Sequence, residues 1–333
     1  MSSHKSILVT GANGFVGRRL VESLSADPTT TVYAASRRPL DAVLRNVTHV
    51  QLGDLASDEL AERLFGIDVV VHLAARVHVM NETYADALAK FRHANVAATA
   101  LLAESAAAAG VRRFVFVSSV KVNGEETPRD GAFRSTDAPC PHDPYGVSKL
   151  EAERELQRIT GAFGMELAIV RPVLVYGPGV GANFARMMRW LCRGVPLPFG
   201  SIDNLRSLIA LDNLCDLLVT CAWHPAADGQ TFLASDQEDI STPDLLRRLG
   251  IALGRPTRLF NIPQDALRWA FRWGGQAEAG RRLCSSLRVD ANPARQILSW
   301  RPPVSLDAAL LRTAQHFLGV GQKAAPRRGD NRC

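Results

Sequence analysis

Nowhere in the 333 residues do eighteen apolar residues run together, so no segment is expected to insert into a bilayer. Six cysteines (Cys140, Cys192, Cys215, Cys221, Cys284, Cys333) include no CxxC pair and no Cys/His set with metal spacing. Scattered thiols in a chain this long argue against a disulfide framework or a zinc module, and for a reducing compartment. No bound metal is expected. Basic stripes with interleaved aromatics are missing too, which leaves no case for nucleic acid. The net charge is +6, but Lys323, Arg327, Arg328 and Arg332 against Asp330 put half of that in the last eleven residues. Residues 321–333 are therefore expected to form a disordered basic tail, on a body whose mild charge suits anionic small molecules. The start, MSSHKSILVTG, enters an apolar strand without the long apolar segment of a leader, and a cytoplasmic protein is expected. LRWAFRWGG (267–275) could touch a membrane surface; a half-buried helix with Trp and Arg stems is the preferred reading.

With 47% hydrophobic residues, the chain can bury a large core. Short runs rich in β-branched residues, SILVT (6–10), TVYAAS (31–36), THVQL (48–52), DVVVHLA (68–74), RFVFVSS (113–119) and LAIVR (167–171), alternate with helical patterns. Continuous apolar strands joined by helix-length connections predict an α/β fold, a doubly wound parallel sheet covered on both faces. After Pro172 the pattern changes to Gly/Pro-rich text (175–184 and 193–207) and shorter helical patches at about 211–223, 242–253, 263–273 and 304–317. The expected division is a Rossmann-type domain over 1–172 plus about 205–235. A smaller C-terminal lobe takes about 173–204 and 236–320 and completes a cleft.

SILVTGANGFVG places Gly11, Gly14 and Gly17 between the first strand and the first helix. Such a turn lets backbone approach a pyrophosphate, and the helix start offers free N–H groups and a positive dipole end. Asn13, Phe15 and Val16 belong to this turn. A free ribose 2′-OH is usually held by an acidic residue about 20 positions on. Here that place holds Ser36, followed by Arg37 and Arg38. Guanidinium groups suit a 2′-phosphate, so the residues favour NADP(H) over NAD(H), which stays possible. The two arginines could equally be exposed charges at a strand end. Asp54 and Leu55 in GDL, and Ala74 and Ala75 in HLAA, end the third and fourth strands and extend the same site.

DPYGVSKLEAE (143–153) opens another helix, with Asp143 and Pro144 suited to its N-cap and first position. Tyr145 and Lys149 are then neighbours on one face. Isolated, such a pair reads as a solvated helix face. With TGANGFVG, GDL, HLAA, FVFVSSVKVNG and PYGVSK in order, however, the chain resembles an extended short-chain dehydrogenase/reductase of the nucleotide-sugar epimerase/dehydratase family, over nearly its whole length up to the tail. The resemblance implies that Ser119, 26 residues before Tyr145, works with Tyr145 and Lys149. Hydride transfer at a carbinol carbon needs a proton moved on its oxygen, which a tyrosine can do near neutral pH only if its phenolate is stabilised. Lys149, the oxidised nicotinamide and the helix start are expected to stabilise it, with Ser119 bonded to the same oxygen. Asn95 resembles the family's supporting asparagine.

Ser119-Val120-Lys121 lacks the carboxylates with which family dehydratases eliminate water, so a 4,6-dehydratase is not expected. The text from SSVKVNGEET to NLRSLI is similar to that of reductases of UDP-4-keto-6-deoxy-N-acetylhexosamines, which serve surface polysaccharide synthesis. With the arginines at 37 and 38, this makes an NADP(H)-dependent 4-ketoreductase the main expectation. A UDP-sugar 4-epimerase retaining NAD is the alternative, and a non-catalytic NADP-binding protein the second. The resemblance further implies diphosphate contacts by Arg206, Asn183 and Arg282, a nicotinamide contact at Pro172, and a homodimer through the helices of 84–109 and 145–163. The expected partner is a nucleotide-diphosphate sugar.

Overall fold

The computed structural model describes residues 4–38, 44–51, 60–77, 83–275 and 277–324. Among the described residues ten strands form: β1 (Lys5–Thr10), β2 (Thr30–Ser36), β3 (Val47–Gln51), β4 (Val69–His72), β5 (Arg113–Val117), β6 (Glu166–Pro172), β7 (Leu174–Tyr176), β8 (Arg206–Ala210), β9 (Gln230–Ala234) and β10 (Asp239–Ile240). Seven of them build one parallel sheet in the order β3-β2-β1-β4-β5-β6-β9. This is the Rossmann-type arrangement expected. Its order reverses between β1 and β4, where a crevice opens at the carboxyl ends of the strands. The other three pair as β10-β8-β7.

The helices begin with α1 (Phe15–Ser25), α2 (Leu60–Arg63), α3 (Tyr84–Phe91), α4 (Ala98–Ala108), α5 (Pro144–Phe163) and α6 (Ala182–Cys192). There follow α7 (Leu211–Trp223), α8 (Thr242–Ala252), α9 (Gln264–Trp273), α10 (Ala277–Cys284), α11 (Asn292–Leu298) and α12 (Leu306–Ala324). Strand periodicity sorts side chains onto two faces. Ile7, Val9, Val69 and Val71 meet α1 and α7 through Leu20, Leu24, Leu214 and Leu218. Leu8, Val70, Phe114 and Phe116 meet α2, α4 and α5 through Leu60, Leu102, Ala106, Leu156 and Ile159. Both faces are buried, which is why these strands read as continuous apolar runs. A separate core joins Tyr176 and Leu208 to Phe184, Met188, Leu246, Leu249 and Leu310 of α6, α8 and α12.

Several elements depart from expectation. Residues 206–210, assigned on sequence to the dinucleotide domain, pair with β7 and β10, while α7 and β9 do join the large sheet. Leu208 and Ala210 of β8 face the second core while Ile209 packs into the first, which a linear division of the chain cannot show. The tail begins later than residue 321, because α12 continues to Ala324; 325–333 lie outside the described residues. In α9 only Leu267 is buried, and Trp269 and Trp273 are 61% and 76% exposed, so its outer face is not the half-buried one expected. Among the described residues no helix is long and apolar enough to cross a membrane.

The loop after β5 is tied to residues 286–288, beyond α10. Thr127 N donates to Ser286 O at 2.9 Å and Phe133 N to Arg288 O at 2.9 Å. Its start is held by buried Arg171 of β6, which donates to Asn123 Oδ1 at 3.0 Å and forks onto Glu153 of α5 at 2.9 and 2.6 Å. Removing one partner of a buried pair strands the other charge. Glu153→Ala is therefore expected to lower unfolding free energy by about 3–5 kcal/mol, measured by urea denaturation against the wild type.

Candidate active site

The crevice at the sheet's switch point is closed by backbone packed on backbone. Gly11 has φ +70°, and a Cβ there would lie 2.8 Å from Ala74 N; a Cβ on Gly17 would lie 2.2 Å from Gly11 O. Only glycine lets the β1–α1 turn lie against both the end of β4 and the first turn of α1. Gly14 is the N-cap of α1 and supplies no side-chain acceptor, so no side chain covers the start of that helix, where Phe15 and Val16 stand. Asn13 links the turn to the end of β2, donating to Ser36 Oγ at 3.2 Å and Arg38 O at 2.7 Å. Ser36 Oγ also lies 3.0 Å from His49 Nε2. The side chains of Arg37 and Arg38 are exposed beside it. Ala74, Ala75 and Pro172 are half-buried along the strand ends, and Asp54 and Leu55 lie outside the described residues.

Across the crevice stands α5. Its N-cap Asp143 accepts from Gly146 N at 2.6 Å, and Pro144 occupies the first turn. Tyr145 is half-buried, edge-on to Phe91 with centroids 5.9 Å apart. One turn on, Lys149 is 2% exposed, and its Nζ sits 4.1 Å from the centroid of the Phe116 ring. Burial depresses this ammonium to about 7, with the Glu153 carboxylate pulling the other way. Beneath it, His72 of β4 stacks on Phe116 at 5.9 Å and lies 2.7 Å from Thr10 Oγ1 and 3.0 Å from Thr99 Oγ1. Burial first, and the Lys149 charge second, push this imidazole down to about 3. His72 is thus a neutral spacer held by two hydroxyls.

Two expectations change here. In the protein alone the Tyr145 phenol is not acidified: burial, and then the Asp143 carboxylate, push it up to about 12. The ammonium of Lys149 lies against Phe116 and His72, and its charge registers on His72. Ser119 caps the 3-10 turn Val120–Val122, its Oγ accepting from Lys121 N at 3.3 Å, where a bond to the phenol was expected.

Asn95 has a structural explanation that its spacing did not reveal. Residues 92–97, between α3 and α4, form a π-helical turn, a distortion common at functional sites. It buries Asn95, whose Oδ1 accepts from Arg76 N at 2.8 Å and whose Nδ2 donates to Arg76 O at 3.1 Å and Ser148 Oγ at 3.0 Å. Ser148 Oγ donates on to Tyr145 O at 2.8 Å. One side chain therefore fixes the exit of β4 to the helix turn that carries Tyr145.

On the second core, Arg206 and Arg282 come together. Arg206 donates to Arg282 O at 2.8 Å and Ser285 O at 3.1 Å, and burial, then the Arg282 charge, lower its pKa. Two crowded guanidinium groups make a place that a dianion would relieve. Asn183 stands elsewhere, exposed in the first turn of α6 and bonded to Arg186. Reading by motif missed Lys121, whose Nζ pairs with Asp143 and, at 3.6 Å, with Glu125; Glu125 also pairs with Arg281. This chain of charges runs from the cap of α5 to α10. A cavity of about 600 Å³ lined by Arg134, Asp239, Arg288 and Asp290 contains none of the expected site residues.

Residues 7–234 match the NAD dependent epimerase/dehydratase family. The chain belongs to that family. It is an enzyme of the extended short-chain dehydrogenase/reductase type, acting in the nucleotide-sugar epimerase/dehydratase class. It is 44% identical over 324 residues to the UDP-glucose 4-epimerase of Vibrio cholerae, covering 96% of this chain and 97% of that one. The UDP-glucose 4-epimerase of Mycolicibacterium smegmatis is 29% identical, with 95% and 99% covered. Among solved structures, MoeE5 in complex with UDP-glucose and NAD superposes with a TM-score of 0.73 at 27% identity, covering 95% of this chain and 99% of that one.

The state of His72 sets a pH dependence. Its folded value lies below the unfolded 6.5, so between about 6.5 and 3 the unfolded chain holds a proton that the folded one does not. Stability must fall as pH drops through that window. Between pH 7.5 and 5, wild type is expected to lose about 2 kcal/mol more than His72→Gln, read from urea midpoints at each pH.

Proposed function

We propose that this chain is a UDP-sugar 4-epimerase that retains its nicotinamide dinucleotide through each cycle. The observation that carries the reading is Lys149 buried one turn below Tyr145, in the crevice where Gly11 packs on Ala74. The close similarity to an epimerase over nearly the whole length supports it.

The glycine cradle fits a dinucleotide: its backbone is bare, no side chain caps α1, and Asn13 orders the turn. Gly11, Asn13, Gly14, Phe15, Val16 and Gly17 would hold the pyrophosphate, with Ser36, Ala74, Ala75 and Pro172 along its length and Lys149 on the nicotinamide ribose. The dinucleotide, when bound, supplies a reversible hydride acceptor. The protein's own residues do the rest. Tyr145 takes the proton from O4 of the sugar and later returns it. A phenol raised to about 12 is a poor base near neutral pH, so its acidification has to come with ligand binding. Cationic charge brought beside Lys149 and Tyr145 lowers the phenol, and anionic phosphate nearby favours the protonated ammonium. Ser119 orients O4. Arg206 and Arg282 hold the diphosphate.

A second reading keeps one specific observation. Arg37 and Arg38 are exposed after Ser36, with no carboxylate at that place, which favours a 2′-phosphate and thus an NADPH-dependent 4-ketoreductase. The deciding experiment identifies the nucleotide released from denatured protein and then supplies UDP-glucose or UDP-N-acetylglucosamine without added cofactor. Interconversion of C4 epimers with no net change in nicotinamide absorbance is expected. NADPH consumption on a UDP-4-keto-6-deoxy-N-acetylhexosamine, without epimer interconversion, would establish the reductase instead. Tyr145→Phe is expected to lower turnover by about 10²–10⁴-fold while UDP-sugar affinity stays within a few-fold. A Tyr145→Phe protein that kept its biological role would favour the non-catalytic reading.

A further inference from the structure

We propose that the outer face of α9 docks this protein on an anionic lipid surface, with Trp269 and Trp273 entering the headgroup layer. Successive residues of a helix turn by about 100°, so Leu267 and Phe271, which meet the second core, share one face of α9. Trp269 and Trp273 stand on the opposite face, their ring centroids 5.2 Å apart, with Arg268 and Arg272 exposed along one flank. A pair of adjacent indoles, tilted at 42° and 61% and 76% exposed, is left to solvent on a helix whose other side already meets the core. Indole rings prefer the bilayer interface, and flanking guanidinium groups suit lipid phosphates.

Charge complementarity selects the occupant. Residues 254–284, the stretch that holds α9, carry six arginines against only Asp265 and Glu278, most of the chain's net +6. That excess turns the α9 end towards an anionic surface. A second copy fits poorly, because a two-fold contact would set Arg268 and Arg272 against their own equivalents. Docking at α9 would present α10, which packs on it and carries Arg282, close to the surface.

The test is cosedimentation of the full-length protein with vesicles of phosphatidylcholine containing phosphatidylglycerol, compared with phosphatidylcholine alone. Binding to the anionic vesicles only, released by added salt, is expected. Trp269→Ala/Trp273→Ala and, separately, Arg272→Glu should each weaken it about tenfold or more with unchanged thermal melting. Absence of binding to anionic vesicles at low salt overturns the proposal. So does binding by both variants at the wild-type level. Self-association of the wild type that disappears in the tryptophan variant would make a second copy the occupant and also overturn it.

Discussion

Burying the Lys149 ammonium is the constraint around which this molecule is arranged. A charge taken out of water is costly unless its surroundings answer it. Here the answer comes from the Phe116 ring face, from a His72 held neutral by Thr10 and Thr99, and from Glu153 on the next turn of α5. Tyr145, Lys149 and Glu153 follow at four-residue steps, so one helix face carries a proton-transfer group, a cation and a counter-ion. Glu153 is shared: it also forks onto Arg171, which steadies Asn123 in the Ser119 loop. Disturbing the counter-ion therefore disturbs both sides of the crevice.

A second set of charges joins that crevice to α10. Asp143 caps α5 and helps keep the phenol protonated, while Lys121 pairs with it. Through Glu125 the same lysine is linked to Arg281, next to Arg282. An anion arriving at Arg206 and Arg282 would relieve their crowding and alter the field along this chain.

Much of this was legible in the sequence because it depends on local pattern. Strand runs such as SILVT and LAIVR lie within a residue or two of β1 and β6, and GANGFVG marked the cradle because its glycines answer a local steric need. Helices α6, α10 and α11 escaped notice, α6 because it follows Gly/Pro-rich text and the other two because they are short and contain Gly280 and Pro293. Asn95 could be suspected but not explained, since a π turn has no composition signal. The direction of the Tyr145 shift was out of reach for another reason: burial is a property of the assembled crevice, and it outweighs a cation that spacing alone suggests. The place of β8 in the small sheet likewise follows from pairing across the chain.

The most direct measurement is an NMR titration of lysine side-chain resonances, tractable because the chain has only five lysines and Lys149→Met assigns the one in question. In the protein alone, Lys149 should titrate near 7, and its value should rise once NAD and UDP-glucose are bound. A Lys149 that titrates near 10.5 in the protein alone would contradict the account.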